Sequence, residues 1–110
     1  VLWRRDSAEA EKVALLRLSE IADYAEPRGV RIALYPHAGF WAERFEHCVR
    51  LAEKLNRRGV GATFNLCHWL KVEGDRDPGP AIKAALPRLS FVSIFTGRPN
   101  QRRIIFARGN

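Results

Sequence analysis

The chain has 110 residues, of which 46% are hydrophobic and 28% are charged, as expected of one soluble globular domain. No apolar run approaches the roughly 20 residues that a membrane-spanning helix requires, and the N-terminus has neither an initiator Met nor the apolar core of a signal peptide. The chain has no Met at all, which favours a piece of a longer protein. Cys48 and Cys67 form no CxxC pair, so we expect a reduced protein of the cytoplasm.

The formal net charge of +7 raises the question of a nucleic-acid partner. Most basic residues are dispersed along the chain, and only those between positions 98 and 108 form a cluster. We therefore expect a solvated basic surface and a basic tail. A phosphate-bearing ligand or a nucleic acid is the alternative.

The first half of the chain predicts a helix, a strand and a second helix. Asp6 and Ser7 are good N-caps, and apolar residues then recur at helical spacing until Pro27 ends the first helix. Residues 30–34 form a predicted strand, buried on both faces because its apolar residues barely alternate. Phe45–Leu55 has the single apolar face of a second helix.

The second half continues the alternation of helices and strands. The strand-to-strand repeat of about thirty residues is the length of a βα module, which favours a parallel sheet with right-handed crossovers. The predicted elements are a strand over 60–66, a polar loop over 71–80, a short helix over 81–86 and a strand over 90–95.

Two of these apolar runs end at a histidine. One is 32–36, followed by His37, and the other is 62–67, followed by His68. Because parallel strands of a βαβ unit point the same way, both histidines should emerge at the carboxyl edge of one sheet, where α/β folds hold their ligands. Neighbours on a strand point to opposite faces, so Cys67 is expected to be a buried, inert thiol. A further histidine, on the second helix, is expected to face solvent.

The segments 29–37 and 60–69 resemble the xylose isomerase-like TIM barrel superfamily, which includes sugar isomerases, sugar epimerases and apurinic-site endonucleases. Its members carry strands that read Leu-Glu-Asn-His, Phe-Asp-Thr-Gly-His and His-Val-His-Leu, and the third would fall on residues 91–94. The resemblance covers residues 6–97. It implies an α/β fold that is the C-terminal half of a (β/α)8 barrel, with three to four parallel strands. Residues 98–110 would be a basic tail that includes a candidate extra strand.

The sequence departs from the family at the metal ligands. The family's glutamate falls on Tyr35, its aspartate on Asn65 and the histidine of the next strand on Ser93, whereas His37 and His68 keep the family's residue type. Ions such as Mn²⁺ and Mg²⁺ prefer carboxylate oxygens, and neither Tyr nor Asn is charged at neutral pH. The resemblance thus implies a divalent metal (Mn, Co, Mg or Zn) with His68 as a ligand, in a site that lacks the acidic ligands.

Sugar isomerisation or epimerisation moves a proton next to a carbonyl, which requires a base near that carbon and an electrophile at the developing oxyanion. The resemblance implies that His68 and His37 are catalytic, and an imidazole titrates in the range that such chemistry needs. The expected substrate-binding residues are Tyr35, Trp41, Asn65, Trp69 and Glu73. The alternative for the two tryptophans is packing in loops, and the alternative for Glu73 is a solvated ion pair with Lys71.

Three functions are compatible with these residues. The first is a sugar isomerase or epimerase with a degenerate metal site, acting on a small carbohydrate. The second is a non-catalytic carbohydrate-binding or regulatory barrel fragment, which the changes at Tyr35, Asn65 and Ser93 favour. The third is a nucleic-acid enzyme of the apurinic-site endonuclease branch, for which the chain has few ligands. We expect neither a nucleic-acid nor a membrane partner, but the open sheet edges would allow self-association.

Overall fold

The computed structural model describes residues 8–94, so the predicted caps Asp6 and Ser7 and the tail over 98–110 lie outside the described residues. Within this range the chain alternates helices and strands as the sequence predicts, with one additional helix. The elements are α1 (Ala8–Ala25), β1 (Ile32–Leu34), α2 (Phe45–Leu55), β2 (Val60–Asn65), α3 (Leu66–Glu73), α4 (Gly79–Ala85) and β3 (Leu89–Ser93), with 3-10 turns at Glu26–Arg28 and Leu86–Arg88.

The three strands form one parallel sheet in the order β1-β2-β3. Ile32 pairs with Val60, and Asn65 pairs with Ser93, so β2 and β3 end level with each other. This parallel sheet with intervening helices confirms the predicted α/β class and is the arrangement of part of a (β/α)8 barrel. No helix within residues 8–94 is long and apolar enough to cross a membrane.

The main core lies between the central strand β2 and the helices on one side of the sheet. Every residue of β2 is buried, and the Phe64 ring packs edge-on against Phe45 of α2, with ring centroids 5.2 Å apart. The predicted apolar face of α2 is confirmed, since its core-facing residues are buried. The buried residues of this core are Phe45, Cys48, Val49, Ala62, Phe64, Trp69, Ala81 and Ala85.

β1 is shorter and more exposed than predicted. It begins at Ile32, and both Val30 and Ala33 are exposed, so the prediction of a strand buried on both faces is wrong. Ile32 and Leu34 pack against a small cluster on the helix side of the sheet. Ala33 points to the other side, because successive side chains alternate, and there it lines an open cleft.

The boundary between β2 and α3 also differs from the prediction. The strand ends at Asn65, and residues predicted as strand and loop form α3 instead. The Asn65 side chain accepts a hydrogen bond from the backbone N–H of His68 and caps the helix, which is a strong local preference of Asn. Cys67 and His68 therefore lie in the first turn of a helix and not at a strand end. Cys67 is a buried free thiol, as predicted, but for a different geometric reason.

Candidate functional site

Two imidazole rings lie side by side at the carboxyl edge of the sheet. His37 follows β1, His68 lies in the first turn of α3, and their ring centroids are 4.2 Å apart with the planes inclined by 40°. The βα topology thus brings both histidines to one edge, as predicted. Tyr35 packs edge-on against His68 with ring centroids 5.7 Å apart, and Phe40 packs edge-on against His37 at 4.6 Å.

The backbone of Ala38 gives the two rings different tautomers. Its N–H donates to Nδ1 of His68 at 3.1 Å, so this nitrogen carries no proton and the neutral ring is protonated at Nε2. Nδ1 of His37 lies 2.8 Å from the Ala38 carbonyl oxygen. That oxygen only accepts, so His37 donates from Nδ1 and its neutral ring keeps a lone pair on Nε2. The pair therefore offers one N–H donor and one basic nitrogen.

The electrostatic surroundings of His68 favour its neutral form. Burial lowers the pKa of His68 below its ordinary value, and electrostatic interactions with His37 and Lys71 lower it further. A neutral ring is also what the hydrogen bond from Ala38 requires, since protonation of Nδ1 would remove the acceptor. At neutral pH His68 is therefore an uncharged hydrogen-bond donor.

Beneath the histidines, three neutral side chains form a hydrogen-bonded triad, which we call the Tyr35–Asn65–Ser93 triad. Nδ2 of Asn65 donates to the Tyr35 hydroxyl at 2.8 Å and to the Ser93 hydroxyl at 2.7 Å. Its Oδ1 accepts from the His68 backbone N–H at 2.9 Å. Asn65 is 3% exposed and uses both of its amide hydrogens. The triad joins the carboxyl ends of all three strands to the start of α3.

The triad occupies the positions at which the resemblance places metal ligands, and its donor chemistry does not fit a divalent metal. Mn²⁺ and Mg²⁺ need negatively charged oxygens, whereas Tyr35, Asn65 and Ser93 are uncharged, and the Asn65 amide donates hydrogen bonds to both hydroxyls. Zn²⁺ and Co²⁺ accept imidazole, but residues 8–94 contain no group of three or more His, Cys, Asp or Glu side chains that could hold a metal. The expected Mn, Co, Mg or Zn cofactor thus finds no suitable ligand set in the described part of the chain.

The two tryptophans that follow the histidines have different surroundings. Trp69 lies in α3 and not in a loop, is 3% exposed, and packs in the core against Phe64. Its indole N–H donates to the Arg76 carbonyl, so its environment is that of a packing residue. Trp41 is half-buried and packs edge-on against His47 of α2, with ring centroids 4.6 Å apart. The sequence predicted that His47 faces solvent, but the side chain is half-buried against this aromatic ring.

Glu73, at the end of α3, forms ion pairs with two arginines. Its carboxylate lies 2.8 Å from Nε of Arg44 and 3.3 Å from Nη1 of Arg76, and its side chain is 12% exposed. Burial alone would raise the pKa of Glu73, but the hydrogen bonds and charges of the two arginines outweigh it and lower that pKa. Glu73 thus ties the loop before α2 to the end of α3, and the predicted solvated pair with Lys71 is replaced by these ion pairs.

Sequence reasoning missed Ala38 and Phe40. Ala38 acts through its backbone N–H and carbonyl, which give no signal in residue type, although the short Ala38-Gly39 turn directly after His37 was visible. Gly39 has a φ of 89°, which favours glycine, and its N–H donates to the Glu43 carboxylate at 3.1 Å. This turn places the Ala38 backbone between the two imidazoles.

Comparison with known proteins identifies the family. The family model described as xylose isomerase-like TIM barrel matches residues 1–102. Comparisons with curated proteins and with solved structures gave no significant match. The parallel βα arrangement agrees with the family's fold, and the two histidines lie at the edge where barrels of this kind hold their ligands. The chain therefore belongs to the xylose isomerase-like TIM barrel family.

Proposed function

We propose that this chain acts on a small carbohydrate as a sugar isomerase that moves a proton next to a carbonyl, with His37 and His68 in place of metal-bound carboxylates. The observation that carries the proposal is the tautomer pair. Two rings 4.2 Å apart present a basic nitrogen and an N–H donor at one edge. Membership of the family supports the substrate class.

In this mechanism His37 is the base. Its Nε2 takes the proton from the carbon next to the carbonyl, the C–H electron pair forms the C=C bond of an enediol, and the carbonyl π pair moves to oxygen. His68 Nε2–H protonates that oxygen and then receives the proton of the neighbouring hydroxyl as the new carbonyl forms. His37 returns its proton to the neighbouring carbon. One base serves one side of the sugar, which favours isomerisation over epimerisation.

The remaining residues hold this pair in place. Asn65 acts through His68, because it fixes the first turn of α3 from which the imidazole projects. Tyr35 is 45% exposed beside His68, so we propose that its ring contacts the sugar. Neutral His68 suits the mechanism because an uncharged imidazole can donate its Nε2 proton to an oxyanion while Nδ1 keeps its hydrogen bond from Ala38.

The test measures exchange of a sugar C–H proton for deuterium, which does not require net conversion of the sugar. The purified chain, with EDTA present, is incubated in D2O with D-xylulose, D-fructose and their phosphate esters, and deuterium at the carbon next to the carbonyl is followed by NMR. We expect exchange above the buffer rate, reduced by about 100-fold or more in His37→Gln. His47→Gln is the matched control and should retain the rate. Exchange at the buffer rate for all proteins and sugars would contradict the proposal.

A non-catalytic carbohydrate-binding role is the second candidate. The observation that favours it is the triad, since the positions that would bind the family's metal are occupied by neutral groups that Asn65 joins through hydrogen bonds. The same sugars are titrated calorimetrically to separate the two functions. Saturable binding that is weakened by Tyr35→Ala, with no deuterium exchange, would favour the binding role over the isomerase.

A further inference from the structure

A cleft of about 770 Å³ lies at the amino edge of the sheet, opposite the histidines. It is lined by residues at or before the start of each strand, among them Arg31 near β1, Arg58 near β2 and Arg88 near β3. Ala33 and Phe91 extend it onto the sheet face that carries no part of the main core. Its volume is within the range of pockets that hold small-molecule ligands, about 300–1,000 Å³.

The charge of this cleft is one-sided. Among residues 8–94, its lining includes three arginines and no carboxylate. Within residues 8–94, Arg31 and Arg58 make no ion pair. Among the same residues, the Arg88 guanidinium donates to two neutral oxygens, the Arg57 carbonyl and the Asn56 side chain, and has no acidic partner.

Two of the described acids near this edge are paired with an arginine outside the cleft lining. Asp23 and Glu26 both bind the neighbouring Arg57, which lies outside the cleft lining, at 2.6 and 3.5 Å. Helix C-termini also meet at this edge, and their partial negative charge favours cations. This explains Arg88, which donates to the carbonyl of Arg57 just beyond α2, but it leaves Arg31 and Arg58 without a described partner. Positive charges in one concave site repel each other, and an anion would relieve that repulsion.

We propose that this cleft binds a small phosphorylated ligand, with Arg31 and Arg58 as its direct contacts and Arg88 as a fixed third charge. The planar guanidinium matches phosphate oxygens through paired hydrogen bonds. The six residues of β2 span about 17 Å at the usual rise of a strand. The phosphate in this cleft therefore does not belong to a sugar held at His37 and His68, and the proposal does not depend on the proposed isomerase activity.

Calorimetric titration of the full chain with inorganic pyrophosphate tests this site. We expect saturable binding near one equivalent, weakened about tenfold or more by Arg31→Gln and by Arg58→Gln. Arg17→Gln is the control, because Arg17 is an exposed arginine of α1 paired with Glu20, and it should leave the affinity unchanged. Circular dichroism establishes that each variant is folded, and Arg31→Lys, which keeps the charge, should weaken binding less than Arg31→Gln.

Three outcomes would overturn the proposal. The first is no saturable binding of pyrophosphate by folded protein. The second is an equal loss of affinity in Arg17→Gln, which would reflect net charge alone. The third is binding of heparin through Arg31 and Arg58 without binding of pyrophosphate, which would make the cleft a polyanion surface and not a small-ligand site.

Discussion

Asn65 and His68 are joined by a hydrogen bond of 2.9 Å from the His68 backbone N–H to Oδ1 of Asn65. This bond ends β2, caps α3 and fixes the turn from which the His68 imidazole meets His37. The same Asn65 side chain donates to Tyr35 and Ser93 on the flanking strands. The Asn65 amide therefore sets the boundary between β2 and α3 and also joins the two neutral hydroxyl groups of the triad.

Replacement of Asn65 by alanine should destabilise the chain by about 2–3 kcal/mol, because it removes a helix cap and two buried hydrogen bonds. Urea unfolding followed by circular dichroism measures this loss. Asn65→Asp is the matched control. Its carboxylate still accepts from the His68 N–H but has no hydrogens for Tyr35 and Ser93, so it should lose less stability than Asn65→Ala. Equal losses in the two variants would show that the cap contributes little.

The lowered pKa of His68 predicts a stability that falls with acidification. Because burial favours the neutral ring in the folded state, the unfolded chain binds more protons as the pH falls below about 6.5, the usual histidine pKa. Folded stability should therefore decrease from pH 7 to pH 5 and show no contribution from His68 above pH 7. Urea midpoints at these pH values measure it. The decrease should become smaller in His68→Gln, and an unchanged decrease in that variant would contradict the prediction.

The alternation of helices and strands was predictable because apolar spacing and the helix-ending signal at Pro27 are local properties of the sequence. The boundary at Asn65 was not predictable, because the apolar run over 62–67 fits a strand as well as a strand followed by a helix. The helix cap made by the Asn65 side chain decides between the two. The exposure of β1 was also missed, because burial on the second face of a strand depends on distant parts of the fold and not on its own residues.

For the site, the meeting of His37 and His68 followed from βα topology alone. Their tautomers did not, because these depend on the backbone of Ala38, whose residue type gives no signal. The resemblance placed Tyr35, Asn65 and Ser93 at ligand positions, but only the geometry shows that Asn65 donates hydrogen bonds to the other two. The sequence thus predicted that the two histidines meet, whereas their tautomers depend on backbone contacts that residue types do not reveal.

Cys48 should be inert in the folded chain. It is buried in the core between α2 and the sheet, and burial raises the pKa of its thiol to about 12. Alkylation requires the thiolate, so iodoacetamide at pH 8 should modify Cys48 slowly in buffer and rapidly in urea. Peptide mass spectrometry over time measures both rates. Comparable rates in the two solvents would mean that this part of the core opens readily.

Glu73 should stabilise the chain at neutral pH through Arg44 and Arg76. Its pKa is lowered in the folded state, so the stabilisation is present above the usual glutamate pKa of about 4.3 and is lost as the pH falls through the lower folded value. Glu73→Gln should therefore cost about 1 kcal/mol at pH 7, and the difference from the unmodified chain should shrink towards pH 3. Glu20→Gln, which removes an exposed pair with Arg17, should cost less at pH 7. A larger loss in Glu20→Gln would contradict the link between the loop before α2 and α3.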